Sequence, residues 1–248
     1  MKTYQATDFK GRYFAHRGLH DIARGIPENS LPAFRAAVAK GYGVELDVQL
    51  SSDGRVVVFH DDTLDRVCGV RSRVISHPLA ELQQMRLLGT DETIPLFSDV
   101  LDILRQGSGP LIVELKTGPR NQELCEKTLS FLRNYPGVFC IESFDPRIVL
   151  WFRKHAPEIF RGQLAQPYEG YAGLLPAPVA FLLAGCRLSF LNKPDFIAYR
   201  IGRRPRRVLR KRSRGVLLFG WTSKDAEHDA ADNDAVIFEA CTPPVKYA

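Results

Sequence analysis

The residues best suited to chemistry lie between Val44 and Asp62, where two carboxylates and a histidine surround a predicted hairpin. Glu45 and Asp47 are two residues apart in an apolar strand, and because side chains alternate along a strand, both carboxylates project from one face. A turn at Asp53-Gly54 then returns the chain to His60. Two carboxylates with a histidine beside them suit a cation site with a proton carrier. A solvated strand face is the alternative interpretation of this stretch alone.

A strand–helix–strand unit positions the first of these residues. Arg12 to His16 is typical of a short buried strand that ends on a histidine. The helix that follows has Asn29 or Ser30 as its N-cap and Gly41 as its stop. Gly43 to Gln49 is the next strand, so the segment predicts a βαβ unit.

The alternation of strands and helices continues to the end of the chain. Further strands are predicted at Leu111–Lys116, Val138–Ser143, Phe160–Leu164, Phe196–Tyr199, Val216–Trp221 and Ala235–Glu239. Helices are predicted at Leu96–Arg105, Gln122–Tyr135, Pro146–His155 and Pro178–Cys186. Residues from about 51 to 93, with a short helix at Leu79–Leu88, interrupt this alternation as an insertion after the second strand.

Without the hairpin, the pattern contains eight strands separated mostly by segments of helical length, and no linker divides residues 1–248. It therefore predicts a (β/α)8 TIM barrel of one domain. A doubly wound open sheet is the alternative, because periodicity does not show closure. In barrels of this kind the functional site lies at the C-terminal ends of the strands. Residues from four predicted strands lie near such ends: His16, Glu45 with Asp47, Glu114 with Lys116, and Trp221.

The composition is that of a globular protein, with 45% apolar and 25% charged residues. The five cysteines form no C-x-x-C pair and leave an odd number, which favours thiols in a reducing compartment over a disulfide framework. The first residues lack the apolar core of a signal peptide. The most apolar later stretch, Leu174 to Cys186, is too short for a membrane span. The sequence therefore predicts a cytoplasmic protein.

The excess positive charge of the chain is concentrated in one segment. Nine basic residues and no acidic one lie between Arg200 and Arg214, which leaves a net charge of −3 on the rest of a chain whose total is +6. This run predicts a weak accessory contact with an anionic membrane. A solvated helix or loop is the plainer interpretation. A non-enzymatic protein that binds nucleic acid or membranes is disfavoured, because the run lacks interleaved aromatic residues.

Several motifs occur in an order that closely resembles the glycerophosphodiester phosphodiesterase family. They are Phe14–Gly18, Pro27–Ser30 with Ala33-Phe34, Glu45–Val48, Ser52–Gly54, Val57–Asp61, Leu64–Arg66, Ile94–Leu96 and Val113–Lys116. Ser143–Pro146 and Trp221-Thr222 are similar to weaker family motifs, and the region from Ala165 to Arg214 matches little. The resemblance covers nearly the whole chain and implies a (β/α)8 barrel with a small insertion after the second strand.

The resemblance also implies an activity: hydrolysis of glycerophosphodiesters to glycerol 3-phosphate and an alcohol, with one divalent cation, Mg²⁺ or Ca²⁺. By resemblance, the metal ligands are Glu45, Asp47 and Glu114. The acid/base pair is His16 and His60. The phosphate contacts are Arg17 and Lys116. For Trp221, the position at a strand end favours a platform for the glycerol or head group over a place in the core. The family's route through a cyclic phosphate is implied in the same way.

The chain departs from the family pattern at three places, none of which involves a predicted metal or proton group. Val67–Gly69 replaces a threonine-rich turn, Ser223-Lys224 replaces a small apolar residue and asparagine, and Glu239 replaces a terminal aspartate. These departures bear on head-group preference. The second enzymatic hypothesis is a phospholipase D-like hydrolase of lysophospholipid or sphingolipid head groups, which would use nearly the same catalytic residues. An apolar rim between Ala165 and Pro194 would favour it.

Overall fold

Strands and helices alternate throughout the computed structural model, which describes residues 5–247. The strands are β1 (Arg12–Ala15), β2 (Gly43–Leu50), β3 (Val56–Val58), β4 (Leu111–Leu115), β5 (Phe139–Ser143), β6 (Arg161–Ala165), β7 (Phe196–Arg200), β8 (Leu217–Ser223) and β9 (Ala235–Phe238). The helices are α1 (Ala6–Phe9), α2 (Leu31–Lys40), α3 (Asp65–Cys68), α4 (Leu79–Leu82), α5 (Phe97–Leu104), α6 (Asn121–Arg133), α7 (Pro146–His155), α8 (Ala177–Ala184), α9 (Ser189–Asn192), α10 (Arg206–Arg212) and α11 (Ala226–Ala230).

Residues 14–139 form one of two compact units. Its central strand is β2, which pairs in parallel with β1 and β4 and antiparallel with β3. The β2–β4 register places Asp47 directly opposite Glu114. The predicted hairpin is thus confirmed as β2 and β3, joined by a turn in which Gly54 has a φ of 75°.

Residues 140–247, with 5–13, form the other unit. Its strands β5 to β9 pair in parallel in chain order. Stacked aromatic rings fill the interior: the ring centroids of Phe160 and Phe196 are 5.7 Å apart, and those of Phe196 and Phe219 are 4.1 Å apart. Phe9 of α1 stacks on Phe160 at 4.9 Å, so α1 belongs to the same core.

Apart from β3, each strand pairs in parallel with a neighbour of its own unit, and helices separate consecutive parallel strands. This is the (β/α)8 TIM-barrel class of fold, as predicted. The predicted strands lie within one or two residues of those observed, because each is a short apolar run bounded by turn residues.

The insertion differs from the prediction in its helices, since α3 (Asp65–Cys68) was not predicted and a second helix is shorter than expected. The expected helix from Leu79 to Leu88 ends at Leu82, as α4. Leu82 and Leu87 are both buried in a single apolar cluster with Val57 and Phe59. Residues five apart lie about 140° apart around a helix, so a continuous helix would not direct both side chains into one cluster. Burial of both leucines therefore replaces the helix with turns.

Within residues 5–247, no helix is both long enough and apolar enough to cross a bilayer.

Candidate active site

Three buried carboxylates from two adjacent strands form the centre of the candidate site. Glu45 and Asp47 lie on one face of β2, and Glu114 lies on β4. They are 2%, 1% and 7% exposed, and one ligand oxygen of each lies within 4.8 Å of those of the other two. Strand alternation brings the first two together, and the β2–β4 register adds the third.

Arg17 enters the site from the turn that follows β1. Its backbone has a φ of 54°, and its N–H donates to Glu45 Oε2 at 3.0 Å. Gly18 completes the turn with a φ of 79°, and a Cβ there would lie 2.9 Å from Ala33 of α2. Only glycine fits this position without displacing the helix. Ser30 caps α2 by accepting a hydrogen bond from Ala33 N–H at 3.4 Å, as one of the two predicted caps.

Two cations face the carboxylates. Lys116 Nζ lies 2.8 Å from Glu114 Oε1 and 3.3 Å from Asp47 Oδ1. Arg17 Nε lies 3.6 Å from Asp47 Oδ2, and it is buried without a hydrogen-bond acceptor among the described residues. A buried donor without an acceptor is costly. Arg17 therefore retains a donor for an anionic ligand.

The three carboxylates titrate differently. Burial, followed by repulsion from Asp47 and Glu114, raises the pKa of Glu45 well above its ordinary value. Burial also raises the pKa of Glu114, against the opposing charge of Lys116. Burial acts in the same direction on Asp47, but the charges of Lys116, His60 and Arg17 outweigh it and lower the pKa of Asp47. The cations thus favour the ionised form of Asp47, whereas burial disfavours the ionised forms of Glu45 and Glu114 despite their neighbours.

His60 is held beside this cluster by two groups that the sequence analysis did not single out. Its Nδ1 lies 2.5 Å from Asp61 Oδ1. The residues on either side of it are held by Gln49, whose side-chain amide donates to the carbonyl oxygens of Phe59 and Asp61 at 2.8 and 2.9 Å. Gln49 is the third residue, after Glu45 and Asp47, on the same face of β2, so continued alternation would have identified it.

An ion-pair chain joins the Arg17 turn to the His60 turn. Glu28 accepts from Arg17 Nη1 at 2.7 Å and from Arg66 Nη2 at 2.7 Å, and Arg66 Nε donates to Asp61 at 2.7 Å. The two turns are therefore connected through Glu28 and Arg66. Burial tends to raise the pKa of Glu28, but the Arg66 hydrogen bond and the charges of both arginines lower it to about 2.

Asn29 contributes a further contact that the sequence analysis assigned to a cap. Its side-chain amide, 2% exposed, donates to Asp47 Oδ2 at 2.9 Å. Its φ of 54° and the hydrogen bond from its N–H to Arg17 O turn the side chain towards the carboxylates. Ser30 alone caps the helix, which frees Asn29 for this role.

The structure therefore brings together six of the eight predicted site residues: Arg17, Glu45, Asp47, His60, Glu114 and Lys116. His16 directly follows β1, next to Arg17, and is partly exposed. Trp221 lies on β8, in the unit of residues 140–247. Its indole N–H donates to Ala198 O at 3.1 Å, and its ring meets Phe144 edge-to-face at 5.5 Å.

The donor set fits a divalent cation. Three carboxylates supply the hard oxygen ligands that Mg²⁺ and Ca²⁺ prefer. Their burial and the raised pKa of Glu45 and Glu114 indicate negative charge that Lys116 and Arg17 do not balance. A cation of charge +2 at this point would supply the missing positive charge. The site is therefore compatible with a divalent metal ion.

The fold and the site together define a class of protein. It is a (β/α)8 barrel protein with a buried carboxylate cluster that is flanked by arginine, lysine and histidine. The model of the glycerophosphoryl diester phosphodiesterase family matches residues 16–240. The chain therefore belongs to the glycerophosphoryl diester phosphodiesterase family, as its motifs indicate.

The names of individual relatives agree with this family assignment. The chain is 38% identical over 160 residues to a glycerophosphodiester phosphodiesterase of Bacillus altitudinis, a match that covers 60% of this chain and 64% of the relative. It is 31% identical over 165 residues to a glycerophosphodiester phosphodiesterase of Caldanaerobacter subterraneus subsp. tengcongensis, which covers 61% of this chain and 65% of that protein. The matches thus span just under two thirds of the length of these two relatives.

Among solved structures, the chain resembles a phosphodiesterase of Oleispira antarctica in complex with the product sn-glycerol 3-phosphate. The TM-score is 0.77 at 26% sequence identity, and the match covers 94% of each chain. A likeness over nearly the whole chain confirms the predicted fold class.

Proposed function

We propose that this chain is a metal-dependent phosphodiesterase that hydrolyses glycerophosphodiesters to glycerol 3-phosphate and an alcohol. The observation that carries the proposal is the cluster of Glu45, Asp47 and Glu114, with ligand oxygens within 4.8 Å of one another and cations on two sides. Family membership and the product found in the Oleispira antarctica relative support this substrate class.

Glu45, Asp47 and Glu114 would hold one divalent cation, Mg²⁺ or Ca²⁺. When bound, the cation supplies Lewis-acid stabilisation of the negative charge that develops on the phosphoryl oxygens. The carboxylates stay in place because each has a fixed partner: Arg17 N–H for Glu45, Asn29 for Asp47, and Lys116 for Glu114. Such outer contacts orient ligands before the cation arrives.

Arg17 and Lys116 would bind the phosphate. Both are positive and largely buried, with side chains 15% and 18% exposed. Arg17 retains an Nε–H without an acceptor, and that donor can bond a phosphate oxygen. Charged donors that are already fixed in a buried site stabilise transition-state charge without reorganising.

His16 and His60 would transfer the protons. One histidine takes a proton from the attacking hydroxyl or water, and the other gives a proton to the leaving alkoxide. Asp61 accepts a hydrogen bond from the Nδ1–H of His60, which leaves Nε2 as the nitrogen for proton transfer. A histidine oriented by a carboxylate is a recurrent arrangement for this task.

Trp221 would provide a flat apolar surface for the glycerol or head group. It is partly exposed, and the hydrogen bond to Ala198 and the contact with Phe144 fix its ring.

We propose further that residues 1–248 act as one domain and that the protein works in the cytoplasm. The odd number of cysteines and the lack of a C-x-x-C pair favour thiols in a reducing compartment.

The comparisons do not favour the alternatives considered from the sequence, although large apolar side chains exposed between positions 174 and 191 form the kind of rim that would favour a lysolipid substrate. The relatives described above are named glycerophosphodiester phosphodiesterases, or were solved with glycerol 3-phosphate. A lysophospholipase D of Rattus norvegicus also matches, at 30% identity, but over 51% of this chain and 42% of its own length. A non-enzymatic binder would have no need for buried carboxylates beside two cations and a histidine, because burying uncompensated charge is costly.

A substrate panel tests the reaction. The purified chain is incubated with Mg²⁺ or Ca²⁺ and with glycerophosphocholine, glycerophosphoethanolamine, glycerophosphoglycerol or lysophosphatidylcholine. Released glycerol 3-phosphate is then measured by coupled oxidation. The proposal predicts glycerol 3-phosphate from one or more soluble diesters. Choline release from lysophosphatidylcholine alone, or no product above background from any substrate, would overturn it.

A further inference from the structure

Large apolar side chains are exposed in one stretch of the 140–247 unit. Among the described residues, fourteen large apolar side chains are exposed, and seven of them lie between positions 174 and 191. They are Leu174, Leu175, Val179, Phe181, Leu182, Phe190 and Leu191. The most exposed are Leu174 at 77% and Phe190 at 68%. Such a concentration of exposed apolar side chains is unusual for a surface that faces only water.

The local structure explains why these side chains point outwards. Helix α8 is apolar all round, and its two buried residues are the small Ala180 and Ala184, which pack against Tyr171. The inner face is therefore filled by alanines, and the larger residues remain outside. No charged residue occurs from Gly170 to Cys186. A helix with this composition would ordinarily be covered on its outer side.

A basic helix lies next to this apolar stretch. Val208 of α10 packs in the same cluster as Cys186, which follows α8, and the Tyr199 hydroxyl donates to Ala184 O at 3.1 Å. On α10, the exposed side chains are mostly arginines. Arg206, Arg207 and Arg210 are exposed, and within residues 5–247 none of the three forms an ion pair.

Two other arginines of the basic run already contact side chains of the fold and are therefore not free to bind a partner. Arg204 donates to Asn233 Oδ1 at 2.8 Å, and Arg212 pairs with Asp234 at 3.2 Å. The run therefore divides into arginines that hold the fold and arginines that face solvent. Only the second group can attract a partner.

We propose that the seven exposed apolar residues and the three arginines Arg206, Arg207 and Arg210 form a docking face for the surface of an anionic lipid bilayer. The apolar side chains would enter the boundary between head groups and acyl chains, and the arginines would contact anionic head groups. Arg187 lies with its guanidinium 4.1 Å above the Phe181 ring, a position that also directs positive charge to this face.

Charge selects the bilayer over a second copy of the chain. A two-fold contact through this face would bring α10 close to its own copy, and the like charges of unpaired arginines repel. An anionic bilayer offers opposite charge and an apolar layer together. The docking face and the carboxylate cluster share no residue, so this proposal can fail while the proposed function holds, and the reverse is also true.

The charged half of the docking face is tested by co-sedimentation with vesicles. The full chain is mixed with phosphatidylcholine vesicles that contain about 30 mol% phosphatidylserine, or none, at low salt. The triple variant Arg206→Gln, Arg207→Gln, Arg210→Gln should bind the anionic vesicles about a hundredfold more weakly than the parent chain. Its control removes the same charge elsewhere, with Arg35, Arg71 and Arg133, all exposed, changed to glutamine.

The apolar half is tested with the two most exposed residues, so that little internal packing is lost. Leu174→Gln with Phe190→Gln should weaken binding to the same vesicles about tenfold. The control changes Ile22 and Val245, which are 50% and 40% exposed, to glutamine. Circular dichroism and thermal unfolding of each variant check that the fold is kept.

A third measurement does not depend on loss of binding. Phe190→Trp places an indole on the docking face, and its emission should shift to shorter wavelength with anionic vesicles and be quenched by brominated acyl chains. The proposal predicts all three results, with binding removed by about 0.5 M salt. No sedimentation of the parent chain at low salt, or equal losses in the control variants, would overturn it. Concentration-dependent dimerisation that Leu174→Gln with Phe190→Gln abolishes, without vesicle binding, would assign the face to a second copy instead.

Discussion

At the scale of single residues, the candidate site depends on charges that are buried and only partly balanced. Asp47 is surrounded by Lys116, Arg17 and the Asn29 amide, whereas Glu45 receives one backbone N–H from Arg17. Burial raises the pKa of both carboxylates, but the positive partners of Asp47 outweigh it and lower the pKa of Asp47, whereas the pKa of Glu45 stays raised. This imbalance is what makes the cluster suited to a cation.

The contact between Asp61 and His60 leads to the first prediction. Asp61→Asn should lower kcat for glycerophosphodiester hydrolysis about 10- to 100-fold and change KM little, because the amide no longer holds the imidazole with a charge-assisted bond. Asp65→Asn, which changes an exposed carboxylate four residues further along, is the matched control. Steady-state kinetics give kcat and KM of both variants for comparison with the parent chain. Unchanged kcat in Asp61→Asn would mean that His60 needs no such orientation.

Glu28 gives a prediction of stability against pH. Its folded pKa of about 2 lies below its ordinary value of 4.5, so its contribution to stability is complete above about pH 4.5 and is lost as the pH falls towards about 2. Glu28→Gln should therefore lower the free energy of unfolding by about 3 kcal/mol at pH 7. The difference from the parent chain should shrink over that acidic range.

Urea unfolding at several pH values measures this difference, with the exposed Glu126→Gln as the control. A gap between parent and Glu28→Gln that stays constant from pH 6 to about pH 2 would show that the stabilisation does not come from the ionised carboxylate.

Strand alternation and family motifs predicted most of the site residues, but not the contacts that hold them. Glu45 and Asp47 follow from a period of two, and His60 from the hairpin. The roles of Asn29 and Gln49 depend on which backbone carbonyl or carboxylate lies opposite, and that is decided by the packing of separate turns. A single sequence does not contain that geometry.

At the scale of elements, the turn after β1 and helix α2 form one unit. The turn places Arg17, and its close approach to Ala33 of α2 requires a residue without a side chain at position 18. Gly18→Ala should lower the free energy of unfolding by about 3 kcal/mol, from the left-handed backbone and the clash together. It should also reduce phosphodiesterase activity, because Arg17 moves with the turn.

Gly25→Ala separates these two causes. Gly25 also has a positive φ, of 73°, but nothing lies within 4 Å of a Cβ placed there. Gly25→Ala should lower the free energy of unfolding by only about 1 kcal/mol, because only the left-handed backbone is unfavourable for alanine there. Chemical denaturation of the two variants gives the comparison, and equal costs would mean that the Ala33 contact is not what restricts position 18.

Elements with clear end signals were predicted closely, and those defined by tertiary packing were not. Helix α7 coincides with its predicted bounds, since Asp145 caps it and Pro146 begins it. Helix α4 is short because Leu82 and Leu87 both pack inwards. For α10, the charge run is evident in the sequence, but only the contacts of Arg204 and Arg212 show which arginines face solvent.

At the scale of the whole molecule, the chain combines a family fold with an uneven charge. Eight parallel strands and the intervening helices define the (β/α)8 class, and the likeness to the Oleispira antarctica phosphodiesterase extends over 94% of the chain. The nine basic residues of positions 200–214 lie outside the motif-rich first hundred residues. The proposed catalysis and the proposed bilayer contact thus draw on different parts of the sequence.

The central claim is that Glu45, Asp47 and Glu114 hold a divalent cation that hydrolysis requires. The direct measurement is the rate of glycerol 3-phosphate release from glycerophosphoethanolamine by the same preparation before chelation, after chelation and desalting, and after addition of Mg²⁺ or Ca²⁺. We expect the rate to fall to background after chelation and to return with one of the two cations, because three buried carboxylates without a cation repel the phosphate. Full activity in the chelated, desalted protein would contradict the account.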